Sequence, residues 1–185
     1  MTAFTDQLVE ANRDLWAAMA GHPFVLGLAD GTLPDGALQA WVQQDRVFVV
    51  EERRVVAALR AHGLPSRLDD LLADLDRSLV LEAEAFTQTA ADHGVAPEVE
   101  PWPLCLGYTS YLRCAASDGA LEGLTALYAA ERAYLDTWTA VAERSREAVG
   151  RSQLVGVGPE RARQRRAQLI REVRQAQAQR VDQPT

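Results

Sequence analysis

Apolar positions along the chain recur at steps of three and four, the spacing of one helical face, while the alternation of a strand is nearly absent. The pattern predicts five helices. The first covers about Phe4 to Ala20 and ends at "GHPF", where Pro23 interrupts it. "DGTLPDG" reads as a turn, with Pro34 and Asp35 suited to the first turn of a second helix that runs to Ala61 and stops at Gly63. A third starts at Ser66, a good N-cap, and runs to "DHG" at Asp92–Gly94. After the proline-rich break "VAPEVEPWP", a fourth helix covers roughly Leu104 to Ala116. "SDG" ends it, and the fifth carries "LTALYAAERAYLDTW". The expected fold class is all-α.

Two of these helices place an acid where an apolar residue belongs. Leu124, Leu127, Glu131, Tyr134, Trp138 and Val141 share one face of the fifth helix. On the second helix, Leu38, Trp41, Asp45, Phe48, Glu52, Val55 and Leu59 do the same, with Asp45 between two aromatics. Neither Glu131 nor Asp45 has a basic residue three or four positions away, so no ion pair forms within its own helix. A buried carboxylate without a partner costs several kcal/mol or stays protonated. One reading pairs Glu131 with an arginine of another helix, such as Arg53, Arg54 or Arg113. The other brings the two acids together, because paired carboxylates in an aromatic pocket bind a flat heterocycle and move protons for it. A third stripe, Leu104, Tyr108, Tyr111 and Ala115, adds two phenols to an otherwise apolar face.

Composition narrows the chemistry. The net charge of −7 disfavours general binding to nucleic acid or anionic lipid. All nineteen basic residues are arginine, which excludes a Schiff-base lysine. Cys105 and Cys114 lie nine residues apart on one predicted helix, too far for a relaxed disulfide and without metal-site spacing. They are expected as buried, reduced thiols. His62 and His93 precede helix-ending glycines and His22 sits in the first loop, so all three read as structural. No Glu-x-x-His pair occurs, which argues against a di-iron site. The acidic start "MTAFTDQLVEANRDLW" lacks a basic leader, and no apolar run approaches about 18 residues. The expectation is a soluble, cytoplasmic protein.

The balance changes after Ala142. Residues 1–142 carry nine arginines against twenty-one acids; residues 143–185 carry ten against five and no aromatic residue. In this tail only Leu169, Ile170 and Val173 give "ERARQRRAQLIREVRQAQAQR" an apolar face, so it is expected as a weakly packed helix or a mobile tail.

At these residues the sequence resembles the TenA/thiaminase II family. "HPFVLGLADGTLP" and "LQAWVQQDRVFV" match its N-terminal signature, and "GYTSYL" matches its Tyr-Thr-x-x-Leu segment. Twenty-three residues past Tyr108, where one branch of the family carries a nucleophilic cysteine, this chain has Glu131. "ERAYLDTW" is similar to a second branch, marked by Glu-x-x-Tyr-x-x-Ser/Thr-Trp. The resemblance covers about residues 4–142; the family's later Trp/Tyr segment and glutamate-bearing last helix have no counterpart around Glu143, Glu147, Glu160 or Glu172. The tail reads as a divergence or as the product of a shifted reading frame.

The resemblance implies a heme oxygenase-like helical bundle over 1–142, followed by a divergent arginine-rich tail over 143–185. It implies a hydrolase of aminopyrimidines related to thiamin: either deamination of an aminomethyl-pyrimidine or cleavage of thiamin at its methylene bridge. Asp45 would hydrogen-bond the ring nitrogen and exocyclic amine, with Glu131 as the second catalytic residue. Tyr108, Phe48, Tyr134 and Tyr111 would bind substrate. A carboxylate is a poorer soft nucleophile than a thiolate and a better base, so Glu131 is expected to activate water or to pass a proton to the departing amine. No metal or organic cofactor is called for. Relatives are homo-oligomers, which implies a dimer or tetramer, with neither nucleic acid nor membrane as partner. The competing expectation is a non-catalytic binding or interaction protein of the same fold.

Overall fold

The computed structural model describes residues 4–147 apart from 35, 93 and 97, with side chains to residue 144. His93 and the tail from residue 148, including Leu169, Ile170, Val173, Glu160 and Glu172, lie outside the described residues, as does the side chain of Glu147. The described residues form seven helices and no strand: α1 (Phe4–Ala11), α2 (Arg13–Ala20), α3 (Pro23–Asp30), α4 (Ala37–Arg60), α5 (Ser66–Asp92), α6 (Pro103–Asp118) and α7 (Ala120–Glu147).

α4 is the central rod and packs against α5, α6 and α7. Val42, Val49, Val55, Val56 and Leu59 of α4 meet Leu72, Leu75, Leu79 and Phe86 of α5, with Leu112 and Ala116 of α6 and Leu127 of α7 closing the core. Each such aliphatic side chain, wholly withdrawn from water, contributes about 1.5–3 kcal/mol of hydrophobic stabilisation. A smaller cluster, Val25, Leu28 and Ala29 with Val141, seats α3 on the far end of α7. Arg144 reinforces this seat through paired contacts of 2.7 and 2.9 Å to Asp30.

The three long helices behave as their patterns predict; the first forty residues do not. The expected first helix is two, broken at Asn12. Its side-chain amide donates to the Leu8 carbonyl at 2.8 Å, and its backbone N–H turns to the Val9 carbonyl at 3.1 Å. The side chain has taken the acceptor that the helix ladder would use. Pro23, read as a terminator, instead opens α3 at its first position, and the His22 ring caps it by accepting the Phe24 N–H at 3.2 Å. α4 starts at Ala37 rather than at Pro34, because Gly36 holds a φ of +82° that no right-handed turn contains, and Asp35 lies outside the described residues.

The α6 stripe of Leu104, Tyr108, Tyr111 and Ala115 is also corrected. Leu104 and Tyr111 are 84% and 61% exposed, and α6 buries Thr109, Leu112 and Ala116 instead. The cysteines follow this rotation. Both are free thiols as expected, but Cys114 is exposed and Cys105 only part-buried. His62 does cap a helix end, though not its own: its Nε2 lies 2.7 Å from the Ala116 carbonyl near the end of α6.

Candidate active site

A cavity of about 770 Å³ opens among α2, α3, α4, α6 and α7. α4 supplies Trp41, Asp45, Phe48 and Glu52 along one stripe, while α7 supplies Glu131, Tyr134 and Trp138 along another. α6 contributes Tyr108 and Cys105. The stripes that bury an acid on each helix therefore converge on one space, as the spacing of three and four predicts.

Aromatic rings form two walls. Phe48 and Tyr108 stack with centroids 5.4 Å apart and planes 20° from parallel. In a second group Trp41 is a hub, its ring centroid 5.1 Å from that of Trp138 and 6.0 Å from that of Phe24, and Tyr134 lies 5.9 Å from Trp138. Behind this wall Trp41 meets Phe86 edge-on at 5.6 Å, which joins the site to the core.

Among the described residues, three carboxylic acids line the hollow. Glu52 and Glu131 are each 1% exposed, and Asp45 is part-buried. The arginines weighed as partners for Glu131 serve other acids. Arg53 pairs with Asp76 at 2.7 Å, and both Arg54 and Arg113 pair with Glu51. The polar rim is held by Gln44, whose amide accepts the Trp102 N–H at 2.8 Å and donates to the Glu100 carbonyl at 3.1 Å. Gln43 adds a bond of 2.7 Å to the Ala96 carbonyl. These amides stitch the segment before α6 onto α4, so that Trp102 and Pro103 join the lining.

The field of these acids sets the protonation of its neighbours. Burial first, then Glu52, Glu131 and Tyr111, push the Tyr108 phenol up from 10.0 to about 12, so it stays neutral. Burial, then Asp45 and Glu51, also push the Cys105 thiol up. Its Sγ lies 3.7 Å from the Gln44 carbonyl. A protonated thiol is a poor nucleophile, so the one cysteine in the lining is ill suited to covalent catalysis.

The structure thus brings Asp45, Phe48, Tyr108, Glu131 and Tyr134 to one cavity. Tyr111 is not there. It lines an adjoining cleft of about 620 Å³ with Leu8, Leu15 and Trp16, and Tyr108 borders both hollows. Four features escaped the sequence reading as site elements. Glu52 lay on the recognised stripe but was not singled out. Glu82 of α5, 1% exposed, accepts the Tyr134 hydroxyl at 3.0 Å. Leu75, Leu79, Glu82 and Phe86 carry the same steps of three and four that revealed Glu131, so the signal was present. Gln44 and Trp102 carry no such signal, because their roles depend on where a loop crosses.

Comparison with known proteins agrees with this architecture. The sequence pattern of the TENA/THI-4/PQQC family matches residues 10–182, well past the boundary at 142. An aminopyrimidine aminohydrolase from Halalkalibacterium halodurans is 29% identical over 130 residues, covering 67% of this chain and 58% of that protein. An uncharacterized protein from Schizosaccharomyces pombe is 28% identical over 92 residues, covering 46% and 38%. The matches thus span less than two thirds of these curated relatives. Among solved structures, a TenA homologue from Pyrococcus furiosus superposes with a TM-score of 0.84 at 24% identity, covering 98% of this chain and 87% of its own. A TenA family transcription regulator from Silicibacter sp. TM1040 gives 0.79 at 22%, covering 98% and 86%. These likenesses establish the helical heme oxygenase-like fold. With the family pattern spanning most of its residues, the chain belongs to the TENA/THI-4/PQQC family.

Proposed function

We propose that the protein hydrolyses an aminopyrimidine related to thiamin, exchanging an aminomethyl amine for a hydroxyl. The observation that carries this is the entry of Asp45 and Glu131, from different helices, into one aromatic-walled cavity. The balance is simple: the methylene carbon loses ammonia and gains the oxygen of water. Asp45 accepts hydrogen bonds from the protonated ring and its exocyclic amine, which draws electrons from the methylene. Glu131 takes a proton from the attacking water and returns one to the departing amine. Phe48, Tyr108, Trp41 and Tyr134 supply aromatic faces for the ring. The cavity of about 770 Å³ exceeds a pyrimidine alone and leaves room for its arm and the reacting water. The aminopyrimidine aminohydrolase relative supports this substrate class. The exposed Trp102, Leu104 and Leu106 support the homo-oligomer that the family resemblance implies, which light scattering tests.

The direct test is incubation with 4-amino-5-aminomethyl-2-methylpyrimidine while ammonia is measured. Turnover in the wild type, and its loss in Glu131→Gln, is the expected result. No release of ammonia, or an undiminished rate in the variant, removes the proposal.

A further inference from the structure

Tyr134 stands between two acids of different kinds. On the cavity side it follows Glu131 by three residues, so the two share a face of α7 and line the same hollow. On the other side its hydroxyl donates to Oε1 of Glu82 at 3.0 Å, across from α7 to α5. Glu82 is 1% exposed and is not part of the lining. A phenol has one proton to give. With that proton committed to Glu82, what the Tyr134 oxygen offers to anything else is a lone pair.

From this geometry we infer that Glu82 is a positioning residue that fixes Tyr134 as a hydrogen-bond acceptor, and so selects ligands carrying an N–H donor beside Glu131. The inference rests on the proposed function, since the group beside Glu131 is then the aminomethyl arm. Asp45, Glu52 and Glu131 line the same cavity and, when ionised, only accept hydrogen bonds. A free phenol in their midst would turn its proton inward and welcome an acceptor group as readily as a donor. Tethered to Glu82, it extends the same polarity to the arm. An ammonium or amine gains a bond; an aldehyde or ketone of the same size meets a lone pair and loses one.

Binding measures this without turnover in a Glu131→Gln background. The probes are the 5-aminomethyl pyrimidine and its 5-formyl counterpart, whose aldehyde has no lysine side chain to condense with in this chain. With Glu82 present, the aminomethyl compound binds about tenfold or more tighter, the worth of one well-placed hydrogen bond and one mismatched pair. Glu82→Met removes the acceptor that holds the phenol's proton, and the preference falls to about threefold or less, chiefly because the formyl compound gains. Glu82→Gln keeps a carbonyl for the phenol and retains the preference. In a Tyr134→Phe background, Glu82→Met changes nothing further, because the group through which it acts is gone. Where Glu82→Met does not fold, Tyr134→Phe alone decides: it weakens the aminomethyl compound and spares the formyl one. A preference indifferent to a folded Glu82→Met, or a Glu82→Met effect that persists without the Tyr134 hydroxyl, overturns the inference while leaving the proposed function standing. Failure of both compounds to bind overturns the two together.

Discussion

The rings of Phe48 and Tyr108 lie 5.4 Å apart and within 20° of parallel, binding α4 to α6 at the wall of the cavity. The stack holds Tyr108 close enough to Glu52 and Glu131 for their charge, after burial, to raise its pKa to about 12. This predicts a distinctive titration. In ultraviolet absorbance at alkaline pH, a tyrosine step near pH 12 is expected, and that step is missing in Tyr108→Phe. The sign for stability follows. Below about pH 10 the phenol is protonated in both folded and unfolded chains, and its contribution is fully present. Between 10 and 12 only the unfolded chain loses the proton, so stability falls, and more steeply in the wild type than in Tyr108→Phe. Denaturant midpoints across that window check it.

On the proposed function, Glu131 serves the reaction more than the fold. A carboxylate 1% exposed in an aromatic hollow is costly to desolvate, whereas glutamine keeps its shape without charge. Glu131→Gln is therefore expected to melt no lower than the wild type while kcat falls by about two to four orders of magnitude, the usual worth of a general acid–base group. Calorimetry and ammonia release read the two effects separately. A large loss of melting temperature would mark Glu131 as structural.

Helix periodicity made Asp45 and Glu131 visible because each lies on the inward stripe of its helix, and the cavity is lined by residues of those same stripes. The same arithmetic applied to α5 reveals Glu82. It misled on α6, where two faces compete. Leu104, Tyr108 and Tyr111 look more apolar than Thr109, Leu112 and Ala116, yet the smaller set is buried. Close approach of α6 to α4 and α7 demands small side chains, a tertiary requirement that hydropathy does not encode. α3 was missed for a local reason. Pro23 terminates a helix or opens one, and the choice depends on His22 supplying a cap.

That close approach makes its own prediction at Gly123. A Cβ built there would lie 2.6 Å from the Ala116 Cα and 2.6 Å from the Leu59 Cδ2. Backbone on one side and a wholly buried leucine on the other leave little to yield. Gly123→Ala, a change that favours an isolated helix, is expected to destabilise the protein by about 1–3 kcal/mol through overpacking. A urea titration that finds the variant as stable as the wild type would refute the tight contact of α6 and α7.

The last prediction concerns the rim. Gln44 adjoins Asp45 in sequence, but its amide works on the backbone of the segment leading into α6, accepting from Trp102 and donating to Glu100. Trp102 is 56% exposed, so water can replace these bonds, and their loss costs stability modestly, roughly 1 kcal/mol or less. Position is affected more than stability. Without the amide, Trp102 and Pro103 lose the bonds that keep them in the cavity lining, and substrate meets a wall that it must first order. Gln44→Leu is thus expected to raise KM several-fold with a smaller change in kcat, because Asp45 and Glu131 are carried on helices that the substitution leaves in place. A fall confined to kcat would show instead that Gln44 acts on the reacting groups, and the segment before α6 would then have no part in holding substrate.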